Sequence, residues 1–249
     1  MKVGSYATRP PAGKSRVVAG PDRDALSCWD VRVAAAITLA LAAGCLEAPP
    51  SGSGGLPPVE TCSFEDDFKA LEPDTWQLNP DEGGSIGVDS GLLSLAANPV
   101  SGNGFVYIDV TSIDEWELAG LTITADLEVS WGGDGKGDAA LVVAGGTSYI
   151  GIIADSSILA VVEDDAYLCD PEPCETPYVR EAHRFWRIRE AGGELHFETS
   201  AEGGGSWDPV GPSQPTPPGE RAIVLWSECG EGNQTRLLVE HLTVECGDS

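Results

Sequence analysis

The chain has 249 residues, 41% of them hydrophobic, and sets 14 Lys and Arg against 40 Asp and Glu for a net charge of −26. A chain this acidic repels phosphate backbones and anionic headgroups, whose recognition needs Lys and Arg. Nucleic-acid binding is therefore excluded, and a solvated acidic exterior is expected.

Residues 1–44 read as a leader and signal segment. The apolar stretch 33–43 is too short to span a bilayer core, which takes about 20 residues. A short apolar core behind Arg32, closed by the small residues Ala43 and Gly44, is a signal-peptide pattern. Leu41-Ala42-Ala43-Gly44-Cys45 resembles a bacterial lipoprotein signal, although Ala42 stands where Leu is commoner. The resemblance implies cleavage before Cys45, lipid on its thiol, and a membrane partner reached through that lipid. Leu46 in place of Asp after the cysteine implies the outer membrane of a bacterial envelope. A secretory signal cut without lipid and a buried helix are the alternatives. Residues 1–30 suit a leader poorly, with Pro10-Pro11 and Asp22, Asp24 and Asp30, whereas Val31-Arg32-Val33 opens a normal one. We expect 1–30 to be a mis-annotated start. Six basic and three acidic residues precede Cys45, so the mature chain stands at −29.

Residues 45–61 form a tether. Ser51-Gly52-Ser53-Gly54-Gly55 is flexible, and the Pro49-Pro50 and Pro57-Pro58 pairs are stiffer. The remaining 62–249 segment is long enough to bury a core as one β domain.

From Cys62 onward the chain reads as strands. Phe105–Ile108 is a short one. In 121–131 the residues Leu121, Ile123, Ala125, Leu127, Val129 and Trp131 alternate with polar ones, the period of a strand buried on one face. Gly132–Asp138 reads as a hairpin tip. The runs 140–143, 149–153 and 158–162 follow between Gly and Asp-Ser turns. Segments 184–190 and 194–199 flank Ala191-Gly192-Gly193, a hairpin turn, and 222–226 and 236–246 close the domain. No window sustains a helical period. Trp131, Trp186 and Trp226 are expected in the core, and Trp116, between Glu115 and Glu117 on a loop, at the surface with Tyr178. The fold class expected is all-β, an antiparallel sandwich or barrel.

Five cysteines remain after Cys45: Cys62, Cys169, Cys174, Cys229 and Cys246. An exported compartment permits disulfides. A bridge between Cys169 and Cys174 would close a tight loop, and one between Cys62 and Cys246 would staple the first strand to the last, leaving Cys229 odd. The count alone does not fix the pairing. Zinc is the alternative, with no paired C-x-x-C to support it.

The feature order over 62–246 resembles the concanavalin A-like jelly roll of lectins and glucanases. Its carriers are Phe64-Glu65-Asp66-Asp67-Phe68, Trp76, Gly91-Leu92-Leu93-Ser94-Leu95, and Phe185-Trp186-Arg187-Ile188-Arg189-Glu190 leading to Phe197-Glu198-Thr199-Ser200. In the glucanase branch catalysis rests on E-x-D-x-x-E along one strand. Glu65/Asp67 would need an acid at Ala70 and Glu163/Asp165 one at Leu168, and no stretch completes the pattern. Asp126 and Glu128 share a strand face and could line a groove with Trp116 and Tyr178 as ligand-binding residues. His183, His196 and His241 each lie in strand-like segments. Ser200-Ala201-Glu202-Gly203-Gly204-Gly205-Ser206-Trp207 resembles the Asp-box, a structural turn with Glu202 in the Asp place. The resemblance leaves room for a structural calcium bridging Glu65, Asp66 or Asp67 to the C-terminal strand, but no metal or catalytic residue is assigned. The expectation is a non-catalytic exported β-sandwich whose partner is a glycan or cell-surface polymer. A glycoside hydrolase with an atypical site and an envelope adhesion or structural protein are the alternatives.

Overall fold

The computed structural model describes residues 63–99, 104–169 and 176–247. The expectations for the leader, Cys45, the tether, Cys62 and Cys174 lie outside the described residues.

Sixteen strands occur among the described residues, and no helix does. In chain order they are β1 (Ser63–Asp66), β2 (Trp76–Pro80), β3 (Gly84–Asp89), β4 (Leu92–Ala97), β5 (Phe105–Glu117), β6 (Leu121–Gly132), β7 (Gly137–Gly145) and β8 (Ser148–Asp155). Then come β9 (Leu159–Glu163), β10 (Ala166–Leu168), β11 (Phe185–Ala191), β12 (Glu194–Ser200), β13 (Asp208–Pro209), β14 (Gln214–Pro215), β15 (Glu220–Gly230) and β16 (Gln234–Cys246). They pair into two sheets. A nine-stranded sheet runs β13-β12-β11-β6-β16-β4-β3, with β1 added to β16 and β14 to β12. A seven-stranded sheet runs β10-β9-β8-β7-β15-β5-β2. Every pairing is antiparallel.

The alternation in β6 sets the nine-stranded sheet. Leu121, Ile123, Ala125, Leu127 and Val129 point into the space between the sheets, while Thr122, Thr124, Asp126 and Glu128 point outward. Leu237, Val239, Leu242 and Val244 of β16 meet the same core from the neighbouring strand. A register shift between Val239 and His241 lets β16 keep apolar side chains inward on both sides of the irregularity. The seven-stranded sheet supplies Ile108, Val110, Leu141, Val143, Ile152, Val161, Ile223 and Leu225 from its inner face. Trp186 and Phe197 are fully buried there, as are Trp76 and Phe68. Trp76 is held by its indole N–H, which donates to Asp66 Oδ2 at 2.7 Å, while Asp66 Oδ1 accepts from the Phe68 backbone N–H.

Turns follow the local chemistry. Gly192 and Gly193 have φ of 68° and 88°. This is the primed two-residue geometry that glycine permits between right-twisted strands. β5 is longer than the short strand expected at 105–108, because alternation continues through Val110 and Ser112. Where β5 and β15 shift register, the Ser112 hydroxyl accepts from the Ile223 N–H and donates to the Asp114 carbonyl, both at 2.8 Å. Trp116 therefore sits within a strand and not on a loop. His183 lies in the turn before β11, not in a strand.

The two sheets differ outside. β6 alternates buried and half-buried residues, whereas β15 has nine consecutive buried residues and β8 six. β8 and β15 of the seven-stranded sheet are thus buried on both faces. A second apolar cluster, Ala140, Val142, Tyr149, Ile153, Ala160, Val162, Val224 and Trp226, lies opposite the main core. Trp226 is buried as expected, but in this second cluster and not between the sheets.

Candidate ligand-binding face

The outer face of the seven-stranded sheet gathers side chains from distant parts of the chain. Cross-strand register sets Tyr107 (β5) opposite Glu228 (β15), Glu228 opposite Asp138 (β7), and Asp138 opposite Asp155 (β8). The next row runs Asn79 (β2), Asp109 (β5), Trp226 (β15), Ala140 (β7), Ile153 (β8) and Ala160 (β9). Directly opposed side chains in antiparallel strands have Cβ atoms about 5 Å apart, so neighbours in each row are in reach. Trp226 is the aromatic centre, with the Tyr149 ring edge-on at 5.2 Å and the Tyr107 ring at 6.1 Å.

Tyr149 is anchored from the β9–β10 turn. Asp164 and Asp165 both adopt positive φ, 44° and 69°, which costs a non-glycine residue roughly 1–2 kcal/mol. The turn returns two contacts. Asp164 Oδ1 accepts from the Tyr149 N–H at 2.9 Å, and the Tyr149 hydroxyl donates to Asp165 Oδ1 at 2.5 Å. Burial and the Asp165 carboxylate raise the Tyr149 hydroxyl above its ordinary range.

Electrostatics set the acids apart from ordinary surface carboxylates. Glu228 is only 6% exposed. Burial pushes its carboxyl well above the usual range, and the neighbouring Asp138 pushes it further. Burial, then the charge of Asp155, pushes Asp138 up to about 6. Glu228 and Asp138 stand directly opposite each other on β15 and β7, and like charges at that distance do not both ionise, so they share a proton. Burial raises Asp109, while Asn79 Nδ2 (2.8 Å) and Thr111 Oγ1 (2.9 Å) donate to it. Asp155 is turned toward its own loop, where Oδ1 accepts from the Ser157 N–H and hydroxyl and the Ile158 N–H. Among the described residues none of Glu228, Asp138, Asp155, Asp109 and Asp165 has a Lys, Arg or His in an ion pair. Two buried polar atoms have no hydrogen-bond partner there: Glu228 Oε2 and Trp226 Nε1. Such orphans are rare in native folds, because each costs about 1–3 kcal/mol.

The residues singled out from sequence lie elsewhere. Asp126 and Glu128 project from β6, on the outside of the other sheet. Arg184 grips Asp126 through Nε and Nη2, both at 2.7 Å, and reaches Glu240 at 2.7 Å, while Arg180 pairs with Glu128. Trp116 packs on Phe64 with ring centroids 6.0 Å apart. Tyr178 stacks edge-on to Trp131 at 5.3 Å, and its hydroxyl accepts from the Val129 N–H. Cys229 is a buried free thiol. Among the described residues no group of three or more His, Cys, Asp and Glu is placed to hold a metal. In the Asp-box-like turn, the Glu202 N–H donates to the Ser200 hydroxyl at 3.3 Å, and Arg187 stacks on Trp207 at 3.9 Å.

Sequence reading missed Glu228, Asp138, Trp226, Tyr107 and Tyr149 as one group. A signal was present: Glu228 is a lone acid inside the apolar run from Ala222 to Cys229. A charge at such a position is either paired or functional.

No family model matches the chain, and no curated protein matches it. Solved structures do. The chain resembles a Bacillus licheniformis β-glucanase at 13% identity, covering 74% of this chain and 98% of that one, with a TM-score of 0.50. It resembles the exoplasmic/lumenal domain of VIP36 in its Ca²⁺/Man3GlcNAc-bound form at 13% identity, covering 75% and 89%, with a TM-score of 0.52. A glycosyl hydrolase family 16 protein from Mycobacterium smegmatis matches at 16% identity, covering 73% and 98%, with a TM-score of 0.51. The fold is a concanavalin A-like jelly roll. At these identities the likeness speaks for the jelly roll and not for an activity.

Proposed function

We propose that this protein is an exported β-sandwich, lipid-anchored at Cys45 in the outer membrane and held off it by the 45–61 tether, that binds glycan on the outer face of its seven-stranded sheet. The carrying observation is the pair of buried orphan atoms, Trp226 Nε1 and Glu228 Oε2, on one strand face beside Tyr107 and Tyr149. A sugar needs this combination: aromatic surface for its apolar C–H face, plus a donor and an acceptor for its hydroxyls. That solved structures of this shape include the exoplasmic/lumenal domain of VIP36 in a Ca²⁺/Man3GlcNAc-bound form supports the reading. Bridges from Cys62 to Cys246 and from Cys169 to Cys174 complete the proposal for the exported form.

The Glu228–Asp138 pair raises the alternative of hydrolysis. A retaining pair flanks the scissile bond with carboxyls about 5–5.5 Å apart, and an inverting pair stands wider. Opposed carboxyls that share one proton hold each other and not a sugar oxygen, which supports binding. The test is a glycan array probed with the full chain in detergent, beside Trp226→Ala. Binding that the variant loses supports the reading. Binding unchanged in Trp226→Ala moves the site elsewhere, and product release from bound oligosaccharides would establish hydrolysis instead.

A further inference from the structure

We infer that β3 is a docking edge for a second copy of this chain: two β3 strands pair antiparallel about Gly87, and the two nine-stranded sheets become one continuous sheet. The pairing is independent of the glycan reading above.

A sheet edge presents unpaired backbone N–H and C=O groups, and native edges are blunted by shortness, proline or charge. The other edges here follow that rule. β13 and β14 have two residues each and carry Pro209 and Pro215. β10 has three residues, β2 ends on Pro80, and the four-residue β1 carries Glu65 and Asp66. β3 departs from it. It ends the nine-stranded sheet with six residues, Gly84–Asp89, and holds neither proline nor a basic residue. Among the described residues its one ladder partner is β4, met along the whole strand without a register shift. Ser85, Gly87 and Asp89 are exposed on the outer side, and Ile86 and Val88 are half-buried against the core. On β2, the neighbouring edge of the other sheet, Leu78 is 43% exposed, which adds apolar surface to the same rim.

The sequence of this edge is complementary to itself. Directly opposed residues of antiparallel strands share a face. A two-fold axis through Gly87 therefore sets Ile86 against Val88 of the second copy on the inner side, twice, and Ser85 against Asp89 on the outer side, twice. Apolar meets apolar, and a hydroxyl donor meets a carboxylate. A slip of one residue sets Ser85 against Val88 and crosses the two faces. Axes through Ile86 or Val88 keep the faces but lose the Ser85–Asp89 pairs. About Gly87 the two Asp89 residues stand four residues apart along the strands, about 13 Å, where salt screens their repulsion. At the axis glycine faces glycine, and nothing lies within 4 Å of where a Cβ at Gly87 would be, so no side chain obstructs the approach of the backbones. The axis is normal to the joined sheet. Both seven-stranded sheets then lie on one side of it, and their outer faces point the same way, the geometry that bivalent attachment requires.

The test is sedimentation of the full chain in detergent from about 1 to about 500 µM. One strand pair lies at the low end of specific interface sizes, so a dissociation constant on the order of 100 µM is expected. Gly87→Lys enters open space in the single chain but sets two ammonium-bearing residues opposite each other at the axis, and it should weaken the dimer at least ~10-fold. Oxidative cross-linking reads the register, with the unsubstituted chain as baseline. Gly87→Cys puts two thiols opposite each other, within disulfide reach, and should cross-link. Ser85→Cys puts them about 13 Å apart and should stay at baseline. A monomer throughout the concentration range overturns the inference. So does a dimer that Gly87→Lys leaves intact, or cross-linking as fast at Ser85 as at Gly87.

Discussion

The outer faces of the two sheets solve the same problem in opposite ways. On the nine-stranded sheet each strand alternates, and the outward carboxylates meet arginine: Asp126 and Glu240 share Arg184, and Glu198 takes Arg187 and Arg189. On the seven-stranded sheet the central strands β7, β8 and β15 are buried on both sides, and Glu228 and Asp138 meet each other. In the first arrangement Asp126, Glu240 and Glu198 are satisfied within the chain. The second leaves an acceptor and a donor, Glu228 Oε2 and Trp226 Nε1, without a partner among the described residues, and the proposed glycan would draw on them. A binding face is thus marked less by its residue types than by which of its polar atoms the protein fails to satisfy.

Three perturbations sharpen this contrast. The largest concerns the shared interior. Trp186 is fully buried, and its indole N–H donates to the His183 carbonyl at 2.9 Å. Trp186→Ala should cost about 3–5 kcal/mol, read as a lowered urea midpoint with unchanged slope. A loss below 1 kcal/mol would mean that the interior is not the dominant stabiliser.

The second concerns the acid pair. Asp138 has a folded pKa raised to about 6 from 3.8, so the folded state binds more protons than the unfolded one between those values. Stability contributed by the protonated pair is therefore full below about pH 4 and declines as pH rises through about 6. Asp138→Asn should flatten that slope and gain about 1–3 kcal/mol at pH 8 relative to the native chain. Denaturation from pH 4.5 to 8 measures it, and parallel curves for the two proteins would refute the shared proton.

The smallest effect belongs to the nine-stranded sheet's exterior. Arg184 is half-exposed, and exposed pairs contribute about 0.2–1 kcal/mol, screened by salt. Arg184→Ala should stay within that range and vanish at 1 M salt, with ligand binding untouched. A larger or salt-resistant loss would erase the distinction between the two faces.

Much of the fold was legible in the chain. The period-two run in β6 and the Gly192-Gly193 turn identified their elements, because both signals are local. The two-sided burial of β7, β8 and β15 was also written in continuous apolar runs, as in 140–143 and 222–226. The ligand face was not legible by the same means. A search for acids spaced along one strand inspects a single element, whereas Asp138 and Glu228 are 90 positions apart and meet only through cross-strand register. Asp126 and Glu128 satisfied the local criterion and face outward together, yet their arginine partners arrive from the segment before β11, which no local spacing discloses.

The odd cysteine gives the molecule a built-in clock. Cys229 is 1% exposed, its thiol contacts the Ala97 and Asn233 carbonyls, and burial raises its pKa. A thiol so enclosed reacts with an alkylating reagent only after the sheets part. Its labelling rate therefore counts openings of the sandwich one by one, and reports how long the closed form lasts before it first comes undone.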